Sequence, residues 1–94
     1  MINLNWSSSY KNAFKKKIKI DPAIKTKIIT TMELLQQDPF SPKLKTHKLK
    51  GILESNWACS VDYDVRIIFD FVKNQDTEET EILLMNIGGH DEVY

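Results

Sequence analysis

The chain contains 94 residues, 41% of them hydrophobic, and its 13 basic and 13 acidic residues leave no net charge at pH 7. This length predicts one domain, residues 1–94, with a modest core, and no apolar run is long enough to cross a membrane. We expect no signal peptide, because the first residues lack a charged region followed by an apolar stretch. The single cysteine, Cys59, excludes an internal disulfide and a cysteine–histidine zinc site. We therefore expect a cytoplasmic protein without metal or cofactor.

The first half of the chain predicts a short strand and two helices. Residues 2–6 alternate between apolar and polar, as a half-buried strand does. Ser7 offers an N-cap, and apolar residues follow it at helical spacing at Tyr10, Ala13, Phe14 and Ile18. Asp21 is the expected cap of a second helix, with Pro22 at its first position, and the residue before Pro39 ends that helix. Its expected buried stripe is Ile24, Ile28, Met32 and Leu35.

The chain after Pro42 predicts a sheet. A basic segment, residues 43–50, precedes a strand over residues 57–63, in which one face carries Trp57, Cys59, Val61 and Tyr63. Residues 65–73 and 82–87 predict two central strands, separated by an acidic turn. The Gly88-Gly89 pair breaks the second of these and leaves residues 90–94 as a terminal turn. The order β-α-α-β-β-β predicts an α+β fold, with a helical hairpin on one face of a mostly antiparallel sheet.

The charges are unevenly divided between the two halves of the chain. Residues 1–50 contain eleven lysines and three acidic residues, whereas residues 51–94 contain two basic and ten acidic residues. Such asymmetry indicates a polyanionic partner. The alternative is a solvent-exposed, lysine-rich helix face balanced by acidic loops.

Histidine is the side chain whose ordinary pKa lies near neutrality, and the chain contains two, His47 and His90. His47 lies within the basic segment, whose lysines are Lys43, Lys45, Lys48 and Lys50. If the terminal turn folds beside this segment, the two histidines flank one phosphate and supply the base and the acid for RNA cleavage. Two unrelated surface histidines are the alternative.

Arg66, the only arginine, lies within the predicted strand 65–73 and shares a face with Ile68 and Asp70. Its planar guanidinium suits phosphate binding, because it can make two parallel hydrogen bonds. An ion pair with Asp64 or Asp70 explains its position equally well. Tyr94 stands four residues after His90, where it could stack on a base, donate a proton or dock on the core. Cys59 is expected in the core.

Taken in order, these segments resemble the RelE/ParE superfamily of type II toxins, especially its YafQ-like and RelE-like members. The resemblance is carried by residues 47–51 (His-Lys-Leu-Lys-Gly), Trp57, residues 64–69 (Asp-Val-Arg-Ile-Ile-Phe) and residues 87–94 (Ile-Gly-Gly-His-Asp-Glu-Val-Tyr). It implies a compact fold with an antiparallel sheet, cleavage of mRNA in the ribosomal A site, and neutralisation by a cognate antitoxin in a hetero-oligomer.

The resemblance also implies site residues. His47, Asp64 and His90 match a catalytic histidine, the active-site aspartate and the histidine near the C-terminus of the YafQ-like pattern. Arg66 and Tyr94 match the strand arginine and terminal tyrosine of the RelE-like pattern. The basic strand that holds RNA phosphates is matched by Lys43, Lys45, Lys48 and Lys50.

Three positions depart from the YafQ-like pattern. Ser60 stands where the pattern has a histidine, Asn86 where it has an arginine, and Val65 where it has a tryptophan. Loss of that arginine leaves Arg66 and a lysine to stabilise the transition state. We therefore expect an mRNA-cleaving toxin, and two alternatives keep its fold: a ParE-like inhibitor of DNA gyrase, and an inactive module that only binds the antitoxin.

Overall fold

A computed structural model describes residues 1–49 and 56–89. The helices and strands of these residues are β1 (Leu4–Trp6), α1 (Ser8–Ile20), α2 (Ile24–Gln37), β2 (His47–Lys48), β3 (Trp57–Asp62), β4 (Val65–Lys73) and β5 (Thr80–Gly88). A 3-10 turn, Pro42–Leu44, occupies part of the segment in which the sequence predicted only sheet. Within the described residues, no helix is long and apolar enough to span a membrane.

The strands form one sheet in the order β1-β5-β4-β3-β2. β1 pairs in parallel with β5, and the other neighbouring pairs are antiparallel. The predicted α+β fold is therefore confirmed, as are the central positions of β4 and β5. The predicted element order is extended by β2, which contains two residues. A strand this short shows no apolar alternation that a sequence pattern could reveal.

Helix α1 begins where the sequence predicted. The Ser7 hydroxyl oxygen accepts a hydrogen bond from the Tyr10 backbone N–H at 3.0 Å, which satisfies one of the N–H groups that lack a partner within the helix. Tyr10 is fully buried, and Ala13, Phe14 and Ile18 pack against the core from partly buried positions. The first helix thus turns its apolar stripe to the sheet and most of its lysines to solvent.

The predicted start of α2 is wrong. The helix begins at Ile24, and its N-cap, Ala23, makes no side-chain capping bond. Asp21 instead ends α1, where its backbone N–H donates to the Lys17 carbonyl at 2.9 Å. The carbonyl oxygen of Asp21 accepts a hydrogen bond from the Ile24 backbone N–H at 3.1 Å, so Asp21 contacts the start of α2 through its backbone and not as the predicted side-chain cap. The predicted end at Asp38 is confirmed, and the predicted stripe is buried at Ile24, Ile28, Met32 and Leu35.

The sheet packs differently on its two faces. The helix-covered face belongs to the main core, to which β3, β4 and β5 contribute Cys59, Ile67, Phe69, Ile82 and Leu84. The opposite face carries a smaller apolar cluster of Leu49, Ala58 and Ile68, against which Met85 packs. Since Arg66 and Ile68 alternate with Ile67, Arg66 lies on this second face, as the strand pattern predicted.

Glu81 ties the short strand β1 to the rest of the sheet. Its carboxylate accepts hydrogen bonds from the side-chain amides of Asn5 at 2.8 Å, Asn3 at 3.3 Å and Asn74 at 3.2 Å. These three bonds, that of Asn5 above all, hold the pKa of Glu81 below its usual range. The N-terminal segment is therefore held to β5 by side chains as well as by backbone pairing.

Candidate functional site

A cleft of about 510 Å³ opens where β3 turns into β4. Three cationic side chains, Lys43, Lys45 and Arg66, line it together with the turn residues Asp62, Tyr63 and Asp64. The 3-10 turn Pro42–Leu44 brings the two lysines beside the hairpin. Residues far apart in sequence thus form one concave, polar surface in which positive groups outnumber carboxylates.

The turn between β3 and β4 holds the guanidinium of Arg66 in place. Its Nη1 donates to the carbonyl oxygens of Asp62 at 2.9 Å and Tyr63 at 3.0 Å, and to that of Val65 at 3.4 Å. An arginine has five N–H groups, and within residues 1–49 and 56–89 the hydrogen bonds of the Arg66 side chain all come from Nη1, not from Nη2 or Nε. Backbone carbonyls, not the carboxylates suggested as an alternative, therefore orient this cation, and its remaining donors can bind an anion.

The imidazole of His47 is oriented by the backbone two residues before it. Its Nδ1 lies 2.9 Å from the carbonyl oxygen of Lys45. Because a carbonyl oxygen only accepts, Nδ1 carries the proton, and the lone pair of the neutral ring is on Nε2. In this tautomer a neutral ring can act as a general base through Nε2.

Lys45 adopts an uncommon backbone conformation for a side chain with a Cβ. Its φ is 52° and its ψ is 38°, in the left-handed region. That conformation costs a lysine about 1 kcal/mol. The chain reverses at this residue, directly after the 3-10 turn. Lys45 is also a residue that lines the cleft, and its carbonyl oxygen is the one bonded to His47.

Strand register relates His47 to Arg66. His47 pairs with Ala58, which pairs with Ile68, whereas Arg66 pairs with Ser60. Paired residues share a face of the sheet, so His47 and Arg66 lie on the same face. Two strand spacings and a shift of two residues separate their Cα atoms by roughly 12 Å. His47 does not line the cleft, and the Arg66 guanidinium is bonded toward the turn, so a phosphate that contacts both would lie between His47 and the cleft.

The predicted lysine cradle is only partly assembled. Lys43 and Lys45 line the cleft, whereas Lys48 pairs with Trp57, a register position on the helix-covered face of the sheet. The structure therefore does not bring Lys48 to the cleft. The predicted site residues Lys50, His90 and Tyr94 lie outside the described residues.

Asp62 connects the turn to helix α2. Its Oδ2 accepts from Lys27 Nζ at 2.8 Å, and its Oδ1 accepts from the Tyr63 backbone N–H at 2.8 Å. The bond from Lys27 is the main reason that the pKa of Asp62 lies below its usual range, and the Tyr63 N–H adds to it. The same pair raises the pKa of Lys27. Asp64, the predicted active-site carboxylate, is exposed in the same cleft.

The position of Tyr63 differs from the prediction. Alternation placed it with Cys59 on the buried face, but its side chain is 95% exposed at the turn. The β3–β4 register shifts between Ser60 and Asp62, which interrupts the alternation. Neither Tyr63 nor Lys27 was singled out from the sequence, because neither carries a local motif.

The three departures from the family pattern lie on neighbouring strands of the sheet, Ser60 on β3, Val65 on β4 and Asn86 on β5. Ser60 lines the cleft and pairs with Arg66 across the strands. Asn86 pairs with Ile68 on β4, and its Oδ1 accepts from the Ile87 backbone N–H at 2.8 Å. The Asn86 side chain is thus bonded to the backbone of the next residue within β5, and Asn86 lines a second groove beside Ala13 and Lys16 of α1.

Cys59 lies in the core, as the sequence predicted. It is fully buried, and burial raises the pKa of its thiol to about 12. The thiolate that a nucleophilic cysteine needs is therefore not formed near neutral pH. Among the residues that the structure describes, no group of three or more His, Cys, Asp or Glu side chains could hold a metal ion.

Residues 2–94 match the family described as the bacterial toxin of the type II toxin-antitoxin system, YafQ. No curated protein matches the chain in sequence. Several solved structures are similar. HP0894 from Helicobacter pylori is 26% identical with a TM-score of 0.73, and the match covers 100% of both chains. YafQ from E. coli strain BL21(DE3) is 16% identical with a TM-score of 0.77, covering 100% of this chain and 99% of that chain. The E. coli DinJ–YafQ complex matches with the same four values.

Proposed function

Since the chain belongs to the YafQ family of bacterial type II toxins, we propose that it is an endoribonuclease that cleaves mRNA on the ribosome in the cytoplasm, using side chains alone. The observation that carries this proposal is the orientation of Arg66 by the turn, beside Lys43 and Lys45. A guanidinium fixed by backbone carbonyls needs no reorganisation when charge develops on a phosphate, which is the condition for electrostatic catalysis.

His47 is the proposed general base. Its Nε2 accepts the proton of a ribose 2′-hydroxyl, and the oxygen attacks the adjacent phosphorus. The bond from phosphorus to the 5′-oxygen then breaks, and an acid protonates the leaving oxygen. The products are a 2′,3′-cyclic phosphate and a 5′-hydroxyl. His90, outside the described residues, is the proposed acid, and Tyr94 is proposed to orient the base or the leaving group.

The cations and the aspartate of the cleft have separate proposed roles. Arg66 stabilises the charge that grows on the phosphoryl oxygens, and Lys43 and Lys45 bind the phosphates on either side. Asp64, which matches the active-site aspartate of the YafQ-like pattern, is proposed to act from its exposed position in the same cleft. We propose that Lys48 makes only a peripheral RNA contact, because it lies on the other face of the sheet. Lys50, outside the described residues, stays a proposed phosphate-binding residue.

The test is controlled expression of the chain, with growth and mRNA cleavage followed for the wild type and for Arg66→Ala, His47→Gln and His90→Gln. Removing the charge of Arg66 should lower cleavage about 100-fold, the usual effect of losing one transition-state donor. Lys73→Ala is the matched control, because Lys73 is an exposed cation at the opposite end of β4. Toxicity that persists in all three site variants contradicts the proposal, as does growth arrest with intact mRNA and loss of DNA supercoiling.

We further propose that a cognate antitoxin, encoded beside this chain, binds it and suppresses cleavage in a hetero-oligomer. Support comes from the family itself and from the similarity to the E. coli DinJ–YafQ complex. The product of the neighbouring reading frame should copurify with the chain and restore growth. If no product of either adjacent frame does so, this part of the proposal is wrong.

A further inference from the structure

The turn between β3 and β4 presents one aromatic ring to solvent. Tyr63 is 95% exposed, although most other aromatic side chains of the described residues pack against the core. A single exposed ring is common on protein surfaces and does not by itself indicate a site. The way in which the backbone of Tyr63 is held separates it from an ordinary surface residue.

Tyr63 is fixed on both sides of its Cα. Its N–H donates to Asp62 Oδ1 at 2.8 Å, and its carbonyl accepts from Arg66 Nη1 at 3.0 Å. Asp62 is in turn bonded to Lys27 of α2 at 2.8 Å. The ring therefore moves only about its two side-chain torsions, and binding a flat ligand costs it little conformational entropy.

Tyr63 is one of the residues that line the same cleft as the proposed phosphate-binding groups. The residue whose guanidinium holds the Tyr63 carbonyl, Arg66, is also the residue proposed to hold the scissile phosphate. A phosphate on Arg66 thus carries its nucleotide past the exposed ring. Unstacked bases of single-stranded RNA bind to proteins by stacking on aromatic side chains.

We propose that Tyr63 is a base-stacking residue that binds the nucleobase next to the scissile phosphate. This inference rests on the proposed function and adds a residue to its substrate-binding surface. Stacking accepts any base, because every base has a π face. Tyr63 accordingly strengthens binding of single-stranded RNA without selecting its sequence, and it takes no part in proton transfer.

The experiment measures binding of two short single-stranded RNAs. Both carry 2′-O-methyl riboses, which cannot supply the attacking hydroxyl, and the second RNA also lacks the bases at its central positions. Tyr63→Ala should weaken binding of the intact RNA about tenfold and leave binding of the abasic RNA unchanged. Tyr63→Phe should bind like the wild type. The salt dependence of binding should be the same for Tyr63→Ala and the wild type. Lys43→Ala should reduce the salt dependence, because Lys43, unlike Tyr63, is proposed to contact phosphate.

A kinetic measurement on ribosomes programmed with mRNA separates this role from a structural one. Tyr63→Ala should raise KM about tenfold and leave kcat near the wild-type value, since the ring does not touch the reacting atoms. Circular dichroism and thermal unfolding verify that the variants fold, which the exposure of the side chain favours.

Several results overturn the assignment. Wild-type protein that cleaves mRNA while Tyr63→Ala binds and cleaves equally well refutes the role of Tyr63 and leaves the proposed function standing. Tyr63→Phe as weak as Tyr63→Ala shows that the hydroxyl, not the ring, is used. Loss of antitoxin binding with RNA affinity retained makes the turn a protein contact. Wild-type protein that neither binds nor cleaves RNA refutes both proposals.

Discussion

Replacing Tyr10 with phenylalanine should stabilise the protein. Tyr10 is fully buried, and its hydroxyl has no hydrogen-bond partner within residues 1–49 and 56–89. Burial, with a smaller contribution from Cys59, raises its pKa far above the usual range. The ring itself is well packed, edge-on to Trp6 at 5.0 Å and beside Phe14 at 6.3 Å between centroids. Tyr10→Phe keeps these contacts and removes only the unpaired group.

The size of the effect follows from the cost of burying a polar group without a partner, which is about 1–3 kcal/mol. Tyr10→Phe should therefore raise the free energy of unfolding by about 1–2 kcal/mol. For a domain of this size, each kcal/mol raises Tm by about 4–8 °C. Urea and thermal unfolding at pH 7 measure both quantities, and the urea m-value should not change, because the surface exposed on unfolding stays the same.

Alkaline pH gives a second readout. A tyrosine whose pKa is raised by folding retains its proton while the unfolded chain loses it, so stability falls as pH rises above the ordinary value of 10.0. Tyr10→Phe should remove this part of the alkaline loss. Tyr63→Phe, at an exposed ring, is the matched control and should change neither quantity. A Tyr10→Phe variant that unfolds at lower urea than wild type refutes the reasoning, since it shows that the hydroxyl is bonded.

Two further predictions test the bonds that hold the sheet and the turn. Glu81→Gln should destabilise the protein at pH 7 and make its stability depend less on pH in acid. Folding lowers the pKa of this carboxylate, so Glu81 stabilises the folded protein at pH values above the ordinary pKa of 4.5. That stabilisation is lost as the pH falls through the pKa of the folded state. Unfolding curves from pH 7 to acid check this against Glu79→Gln at an exposed neighbour, and an unchanged acid profile contradicts it. Lys27→Met should lower kcat for mRNA cleavage about fivefold, because it loosens the turn that orients Arg66, with little change in Tm, since the ion pair is exposed. Lys27→Arg should cleave like the wild type, and so should the control Lys25→Met. Equal activity of all three variants would show that the orientation of the turn does not depend on its ion pair with α2.

The sequence predicts those elements whose periodicity continues through a buried segment. The strand Val65–Lys73 matches the prediction at both ends, because nearly every side chain in its first half is buried on one face or the other. The helix stripe from Ile24 to Leu35 was predictable for the same reason. The start of α2 was not, because Asp21 could cap either helix in principle and only the geometry of the connection decides between them.

The candidate site was predictable in its residue types and not in its assembly. Arg66 and His47 stand out as a lone arginine in a strand and a histidine among lysines. The tautomer of His47 depends on the carbonyl of Lys45, which has a left-handed backbone conformation. A lysine in the sequence does not predict that conformation. The separation of Lys48 from Lys43 and Lys45 follows from strand register, which a two-residue strand does not encode by itself.

Arg66 has two roles, one in the turn and one proposed at the phosphate, and a lysine cannot fill both. Its Nη1 closes the turn by bonding to the carbonyls of Asp62 and Tyr63, while its remaining N–H groups are the ones proposed to bind phosphate. A lysine has a single ammonium group, which can serve the turn or the phosphate but lacks the rigid fork that reaches both. Since the proposed base-stacking ring belongs to Tyr63, whose carbonyl Arg66 holds, the same guanidinium couples the position of the base to the position of the phosphate. Loss of the fork should therefore impair RNA binding and the chemical step together, whereas loss of the Tyr63 ring impairs binding alone.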